Sequence, residues 1–300
     1  MSTFKDTLKT IKRGPIITLL VCVVVFCMTF LDYNNPVYTL IFGYGEVSSG
    51  NIISNIIYLL QFFLKPELHA KVIIALIGAI LILSVASGFL LSIYFNTINN
   101  SLNETKRLKN EVIFAIKKYF FKLFLMSLAV FFIFILFIII TAVSFVPALS
   151  ITSIAAMGRN DIIIPMIFID LLTVYAVFFA FMFIRAYSFY WFPASINYNI
   201  NPFKIAKQVV NFNFWEIVGR FMTFDVIFAF YNIVLLILRL YNEWPLSTRN
   251  GVILFIINGI LNSIFMLNFA TWVFASFKKF KQQEIIRLKR RQVLRQSKYR

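Results

Sequence analysis

The sequence predicts an all-α protein: a polytopic transmembrane helical bundle of six spans, with short elbow helices lying in the cytoplasmic membrane interface. Three observations lead to this fold class. Hydrophobic residues make up 60% of the 300 residues and charged residues only 14%, which is more apolar surface than a water-soluble fold of this length buries. Several apolar runs are long enough to cross about 30 Å of hydrocarbon as helices. Most Lys and Arg residues lie on one side of these runs.

The apolar runs are continuous, which favours helices over the alternating strands of a β-barrel. The first run follows a basic N-terminal segment, and no A-x-A type of cleavage site comes after it. We therefore expect a retained anchor and not a cleaved secretory signal. The six predicted spans are residues 16–31, 72–95, 123–146, 162–191, 221–241 and 252–277.

The distribution of positive charge predicts the orientation of the bundle. Of the 29 Lys and Arg residues, 23 fall before Gly14, within 106–122, within 204–220 or within 278–300. Loops that face the cytoplasm are enriched in Lys and Arg, so these four segments are predicted to be cytoplasmic. The chain is then a multi-pass protein of the cell membrane with both termini in the cytoplasm.

A further apolar segment, residues 52–64, would reverse this orientation if it crossed the membrane. It has only 13 residues and lies between Ser49-Gly50 and Pro66, which is too short for a span. We expect an outer interfacial or re-entrant helix. The outer loop Asp32–Lys71 that contains it is then the largest external feature.

Three basic amphipathic stretches each lead into an odd-numbered span, as expected of elbow helices. In the second stretch, apolar residues recur every four positions from Leu108 to Phe120, while its basic residues can face water and lipid headgroups. The recurrence at intervals of about 100 residues suggests three two-span hairpins, although the residue identity between them is too low to identify an internal duplication. The stretches are residues 4–13, 105–121 and 203–218.

Aromatic and basic motifs are spread over residues 85–275. They are Gly88-Phe89, Asn96-Thr97-Ile98, Lys117-Lys118-Tyr119-Phe120-Phe121, Asn201-Pro202-Phe203-Lys204-Ile205-Ala206-Lys207 and Asn213-Phe214-Trp215. In these motifs the chain resembles uncharacterised six-span prokaryotic membrane proteins that are similar to the membrane domain of some glycerophosphodiester phosphodiesterases. The resemblance implies a helical bundle with elbow helices. It assigns no catalytic residue, because the soluble phosphodiesterase domain is absent from the sequence.

Four ionisable residues fall within predicted spans, where each costs several kcal/mol unless it is paired or faces water. Asp225, Asn232 and Arg239 are spaced seven residues apart in span five, so they drift by about 40° and form a stripe roughly 21 Å long. Asp170 and Arg185 lie about 22 Å apart along span four. Because the two spans run antiparallel, Arg185 can pair with Asp225 at one depth. Asp170 can pair with Arg239 at the other.

Two interpretations of these charges are open. In the first, the ion pairs are structural and hold spans four and five in register. In the second, the stripe lines a polar pathway, and Asp170 or Asp225 accepts a proton or a cation. The uncharged ligands of that pathway would be Asn232, Asn258 and Asn262. Asn258 and Asn262 share a face of span six, which allows a three-helix polar cluster, although asparagine between helices commonly serves packing.

Residues 278–300 are predicted to form a basic cytoplasmic tail. Ten basic residues stand there against one acid, Glu284, and anionic lipid of the inner leaflet attracts such a segment by about 1 kcal/mol per basic residue. RNA, the ribosome or a protein is the alternative partner of the tail. The overall excess of positive charge follows from the topology, so no nucleic-acid partner is expected. The predicted lipid contacts are Lys278, Lys279, Lys281, Arg287, Lys289, Arg290 and Arg291.

The ionisable residues do not form a recognisable catalytic or metal-binding pattern. His69 is the only histidine, and Asp170 and Asp225 lie at opposite depths of the membrane. We therefore expect no enzyme activity, no catalytic residue, no metal and no cofactor. A transporter or permease component, or a transport-associated protein, is the leading expectation. The alternatives are a non-catalytic scaffold or assembly subunit and, second, a lipid-acting enzyme. The expected partners are membrane lipids and another membrane protein or a second copy of the chain.

Overall fold

The all-α fold class is confirmed by a computed structural model, which describes residues 3–33, 66–107, 109–156, 160–199, 201–241, 246 and 248–297. Seven α-helices and no strand lie within these ranges. A short 3-10 helix, Asn160–Ile162, precedes the fifth α-helix. The helices are α1 (Thr3–Arg13), α2 (Pro15–Tyr33), α3 (Pro66–Leu102), α4 (Glu111–Ala156), α5 (Ile163–Asn197), α6 (Pro202–Tyr241) and α7 (Arg249–Ser297).

Six of these helices are long and apolar enough to cross a membrane, so the chain is a multi-pass membrane protein. Each contains one of the apolar runs found in the sequence. The helices extend past the runs because the amphipathic residues that flank them are helical as well. The apolar helical stretches are Pro15–Tyr33, Ile74–Leu102, Glu111–Thr152, Ile163–Asn197, Pro202–Leu238 and Arg249–Ile286. The segment 52–64, expected to be interfacial or re-entrant, lies outside the described residues.

The chain divides into two compact units. The first unit comprises Met1–Tyr33, Ser87–Met126 and Arg185–Arg300, and the second comprises Asn34–Ala86 and Ser127–Ile184. In the first unit α7 packs against α1, α2 and α6. In the second unit α4 and α5 pack through aromatic side chains, with the Phe181 ring centroid 5.9 Å from that of Phe137.

Gly14 separates α1 from α2, as expected for the first elbow. Pro15 then begins α2, at the helical position where a missing N–H costs nothing. A Cβ atom on Gly14 would lie 2.8 Å from Ile17 Cγ2 and 2.9 Å from Thr97 Cγ2, so the turn requires glycine. On α1, the hydroxyl of Thr7 donates a hydrogen bond of 3.0 Å to Asn268 Oδ1 of α7.

The second predicted elbow is not a separate helix. Helix α4 begins at Glu111 and continues without a break through the apolar run to Ala156. No glycine or proline occurs between Glu111 and Pro147, so nothing in the sequence interrupts the backbone hydrogen bonds. The third elbow differs, because α6 is kinked at Asn213, which has non-helical φ and ψ angles of −131° and 21°.

A lysine of α4 holds the end of α5 within the first unit. Lys122 Nζ donates hydrogen bonds to the carbonyl oxygens of Ser195 and Tyr198, at 2.5 and 2.6 Å. These carbonyls lie at and just beyond the last turn of α5, where helix carbonyls lack intrahelical partners and attract positive charge. One turn earlier along α5, the buried Tyr190 hydroxyl lies 2.8 Å from Ser276 Oγ of α7. The end of α5 is therefore tied to both α4 and α7.

Gly88 allows α3 to approach α4 closely. A Cβ atom at Gly88 would lie 3.0 Å from the Cβ and 3.2 Å from the Cα of Phe124, and 3.1 Å from the Phe120 ring. Because part of this obstacle is backbone, it cannot move aside by a change of rotamer. The small residue at position 88 thus determines the distance between the two helices.

We predict that Gly88→Ala destabilises the protein by about 1–3 kcal/mol. The steric conflict with α4 destabilises the packing by more than the higher helix propensity of alanine stabilises α3. Gly219→Ala in α6 is the matched control, since no atom lies within 4 Å of its added Cβ. The measurement is thermal unfolding of both purified variants in one detergent. Equal melting temperatures for the two variants would contradict the proposed close approach.

Candidate functional site

Arg185 of α5 and Asp225 of α6 form an ion pair in the first unit. Nη1 of Arg185 lies 2.5 Å from each carboxylate oxygen of Asp225. The Arg185 side chain is 9% exposed and the Asp225 side chain 34%. The structure thus joins the two residues whose spacing predicts a pair. Because an ion pair holds its partners at one depth, it fixes the register of α5 against α6.

Three phenylalanine rings surround the guanidinium group of Arg185. Its Cζ lies 4.6 Å from the ring centroid of Phe221, 5.1 Å from that of Phe269 and 5.6 Å from that of Phe189. These rings belong to α6, α7 and α5, so three helices supply them. Each ring attracts the cation through its π face, by about 0.5–2 kcal/mol depending on desolvation. We call Arg185, Asp225 and the three rings the arginine cage.

Further aromatic contacts connect the cage to the rest of the α6–α7 interface. The ring of Phe224 lies 5.3 Å from that of Phe269 and 5.4 Å from that of Trp272, and Phe221 lies 5.5 Å from Trp272. Pairs at these distances contribute about 0.5–1.5 kcal/mol each beyond burial. The arginine cage is therefore one end of a continuous aromatic interface.

The three rings of the cage were missed in the sequence. With 37 Phe residues in the chain, no single phenylalanine stands out from the apolar background. A usable signal was present in the spacing, because Phe189 follows Arg185 by four residues and Phe221 precedes Asp225 by four. Side chains four residues apart share one face of a helix, so both rings lie on the face that carries the charge. Phe269, on a different helix, has no such local signal.

The other predicted acid, Asp170, has a partner on α4 in the second unit. The hydroxyl of Thr152 donates a hydrogen bond of 3.0 Å to Asp170 Oδ2. The side chain of Arg239 lies outside the described part of the structure, so the pair of Asp170 with Arg239 stays a prediction. The contact with Thr152 was not anticipated, since Thr152 lies beyond the span predicted at 123–146.

Asn262 joins three helices of the first unit by hydrogen bonds. Its Oδ1 accepts from the hydroxyl of Tyr231 on α6 at 2.7 Å, and its Nδ2 donates to Thr29 Oγ1 on α2 at 3.1 Å. Thr29, Tyr231 and Asn262 thus form a polar cluster between α2, α6 and α7. Helix α2 faces Asn262, which the spacing within spans five and six could not indicate.

The remaining two asparagines make other contacts. Nδ2 of Asn232 donates to the carbonyl of Phe228 on its own helix at 2.9 Å. Asn258 is 7% exposed, and its Oδ1 has no hydrogen-bond partner within the described residues. Neither side chain is hydrogen-bonded to Asp225 within the described residues, and a polar pathway that they share with that carboxylate stays a prediction.

Three of the seven basic residues predicted to contact lipid make bonds within the protein. Lys278 Nζ donates to the carbonyl of Leu102 at 3.0 Å, and Lys279 Nζ lies 3.1 Å from Glu216 Oε1. Lys281 Nζ lies 2.8 Å from Glu284 Oε2. Helix α7 continues through this segment to Ser297. The side chains of Arg287, Lys289, Arg290 and Arg291 lie outside the described part, and lipid contact by the segment stays a prediction.

An apolar cavity of about 270 Å³ lies between α2, α3, α5 and α7 in the first unit. Phe189 and Phe269 form part of its wall, so the cavity borders the arginine cage. Tyr94 also lines it and is 3% exposed. A space with such walls suits a hydrocarbon group.

A second polar cluster, missed in the sequence, lies where α1 ends. Nη1 of Arg13 donates to the carbonyl oxygens of Asn100 and Thr105 at 3.0 and 2.7 Å. Nη2 of Arg13 lies 3.2 Å from Glu111 Oε1, which also accepts from Asn100 Nδ2 at 2.6 Å. The cluster ties the first elbow to the loop between α3 and α4. Thr105 sits in that loop and the other three residues lie in the helical turns next to α2 and to the loop, where the periodicity of one helix gives no guide to contacts with another segment.

A surface ion pair lies beside this cluster. Lys9 Nζ lies 2.8 Å from Glu104 Oε1. The hydrogen bond from Lys9, together with its charge, holds the pKa of Glu104 below its usual value, and the same bond raises the pKa of Lys9. The attraction is therefore complete near neutral pH and is lost as the pH falls through the pKa of Glu104. Both side chains are exposed, so the contact is a minor one.

Within the described residues, no group of three or more His, Cys, Asp or Glu side chains could hold a metal ion. Comparison of the chain with protein-family models, with curated proteins and with solved structures gives no match. The function must therefore be argued from the geometry of the arginine cage and the contacts around it.

We predict that Arg185→Met lowers the free energy of unfolding by about 3 kcal/mol, since it leaves the Asp225 carboxylate without its partner inside an apolar bundle. Arg220→Met is the matched control, because Arg220 is an exposed arginine of α6. Thermal unfolding in detergent measures both. If the two variants have the same melting temperature, the cage does not stabilise the fold.

Proposed function

We propose that the chain is a non-catalytic scaffold or assembly subunit of a membrane complex. The observation that carries the proposal is the arginine cage, in which the Arg185–Asp225 pair is closed by rings from three helices. A charge held in this way is a fixed structural element, because leaving either partner alone in an apolar bundle is costly. Partners of such a subunit are membrane lipids and another membrane protein or a second copy of the chain.

The contacts of the other polar groups support the same function. The Asn262 side chain accepts a hydrogen bond from Tyr231 and donates one to Thr29. The Asn232 side chain donates to a backbone carbonyl of its own helix. A proton or cation pathway needs polar groups that exchange partners along its length. Groups whose bonds are already made between helices instead hold those helices together.

The proposed location is the cell membrane, with both termini in the cytoplasm. The charge asymmetry of the segments between the spans supports this orientation. The ends of α1 and α7 carry much of that charge, including Lys12 and Arg13 at the end of α1. A cysteine-accessibility assay on intact cells, with single cysteines placed at Lys5 and at Ser297, tests it: labelling by an impermeant maleimide without lysis would contradict the orientation.

A transporter or permease component is the second candidate, and the apolar cavity of about 270 Å³ favours it. The cavity would receive an apolar group of the cargo, next to the arginine cage. In this function the Asp225 carboxylate would be required as a titrating group, independently of its bond to Arg185.

We predict that the exchange Arg185→Asp with Asp225→Arg recovers part of the melting temperature lost in either single variant, because it restores the attraction of the pair but not the contact of the three rings with a cation. Thermal unfolding of the three variants in detergent provides the measurement. Proton and sodium flux into phosphatidylcholine vesicles, followed with entrapped ion-sensitive dyes, distinguishes the second candidate. If the original protein shows a flux that Asp225→Asn abolishes and the exchange does not restore, the result would support the transporter and contradict the scaffold.

A further inference from the structure

A cavity of about 470 Å³ lies beside the end of the first elbow. Its walls come from the junction of α1 and α2, from α3, from the loop after α3 and from the first turn of α4. This volume is in the range of sites that hold small organic ligands. It is separate from the arginine cage and from the apolar cavity next to the cage, which share none of its residues.

Most of the cavity wall is aliphatic. The side chains come from α2, α3 and α4 and include Ile17, Leu20, Ile93 and Val112. At the rim, Ile16 is 81% exposed and Ile113 54% exposed. Because α2 is one of the candidate spans and begins at Pro15, these exposed isoleucines lie at the level where hydrocarbon meets the headgroups. The cavity therefore borders the lipid.

The rim also carries positive charge without a balancing acid. Arg13 and Glu111 line the cavity but neutralise each other. Arg107 and Lys109 line it as well and are exposed, and no carboxylate among the described residues pairs with either. The rim thus has an excess of two positive charges, which attracts an anion.

These two features describe an amphiphile with an anionic head and an apolar chain. We propose that the cavity binds one anionic phospholipid from the leaflet on the side of the N-terminus. Its phosphate lies between Arg107 and Lys109, and one acyl chain enters along α2 and α4. A zwitterionic headgroup fits less well, because its ammonium group would face the two cations. A soluble phosphate would leave the aliphatic wall unused.

The test measures lipid retained by the full-length protein. Protein is incorporated into nanodiscs of equal parts phosphatidylcholine and phosphatidylglycerol, released into mild detergent, and examined by native mass spectrometry for bound lipid. We expect one phosphatidylglycerol to be retained in preference to phosphatidylcholine. In the double variant Arg107→Gln with Lys109→Gln, we expect its retention to fall about tenfold or more, given the attraction of each basic residue for anionic lipid.

The matched control is Lys117→Gln with Lys118→Gln. It removes the same charge from the exposed side of α4, and neither lysine lines the cavity. A specific site predicts retention within about twofold of the original protein for this control, whereas general attraction to a basic surface predicts equal losses in both double variants. Equal losses would therefore overturn the proposal, as would equal retention of phosphatidylcholine by the original protein.

One further measurement separates the headgroup from the chain. Glycerol phosphate, which has the head without the chains, should fail to displace the lipid at concentrations well above that of the protein. Displacement by glycerol phosphate would indicate a site for soluble anions and would contradict the binding of a lipid.

Discussion

The attraction between Arg185 and Asp225 is the constraint on which the first unit depends. Neither charge can be left alone in an apolar bundle, so α5 and α6 must present them at one depth. The rings of Phe189, Phe221 and Phe269 then surround the guanidinium group, and the last of these adds α7 to the pair. One ion pair thereby sets the relative positions of three helices. Dispersion forces among the many phenylalanines alone would permit several similar packings, because in lipid there is little hydrophobic force between helices.

Helix α7 adds further contacts that fix its neighbours along the first unit. Phe269 contacts the cage, Asn262 bonds α2 and α6, and Ser276 bonds the buried Tyr190 of α5. Just after the span predicted at 252–277, Lys278 bonds the last carbonyl of α3. The polar contacts are thus spaced along one helix, each joined to a different neighbour. Such an arrangement gives each neighbour a single register, which apolar surfaces of uniform character do not provide.

The sequence predicts those features that depend on one helix or on simple geometry. Span positions follow from the thickness of hydrocarbon, and the Arg185–Asp225 contact follows from the rise per residue on two antiparallel helices. Contacts that depend on helix rotation were not predictable: Asn262 faces Thr29 of α2, and Asn232 turns to its own backbone. The second elbow is continuous with the span that follows it, since an amphipathic pattern does not break a helix without glycine, proline or a residue such as Asn213 at the junction.

The charges of the first unit occupy two kinds of environment, and the difference bears on what each can do. Arg185 is closed in by rings and a carboxylate, and Arg13 by Glu111 and two carbonyl oxygens. These groups have their bonds within the protein and serve its structure. Arg107 and Lys109 are exposed at the rim of an aliphatic cavity, where their charge is directed outward. A membrane protein that fixes its interior with paired charges and leaves unpaired cations at the lipid boundary is suited to be held in place by the membrane around it.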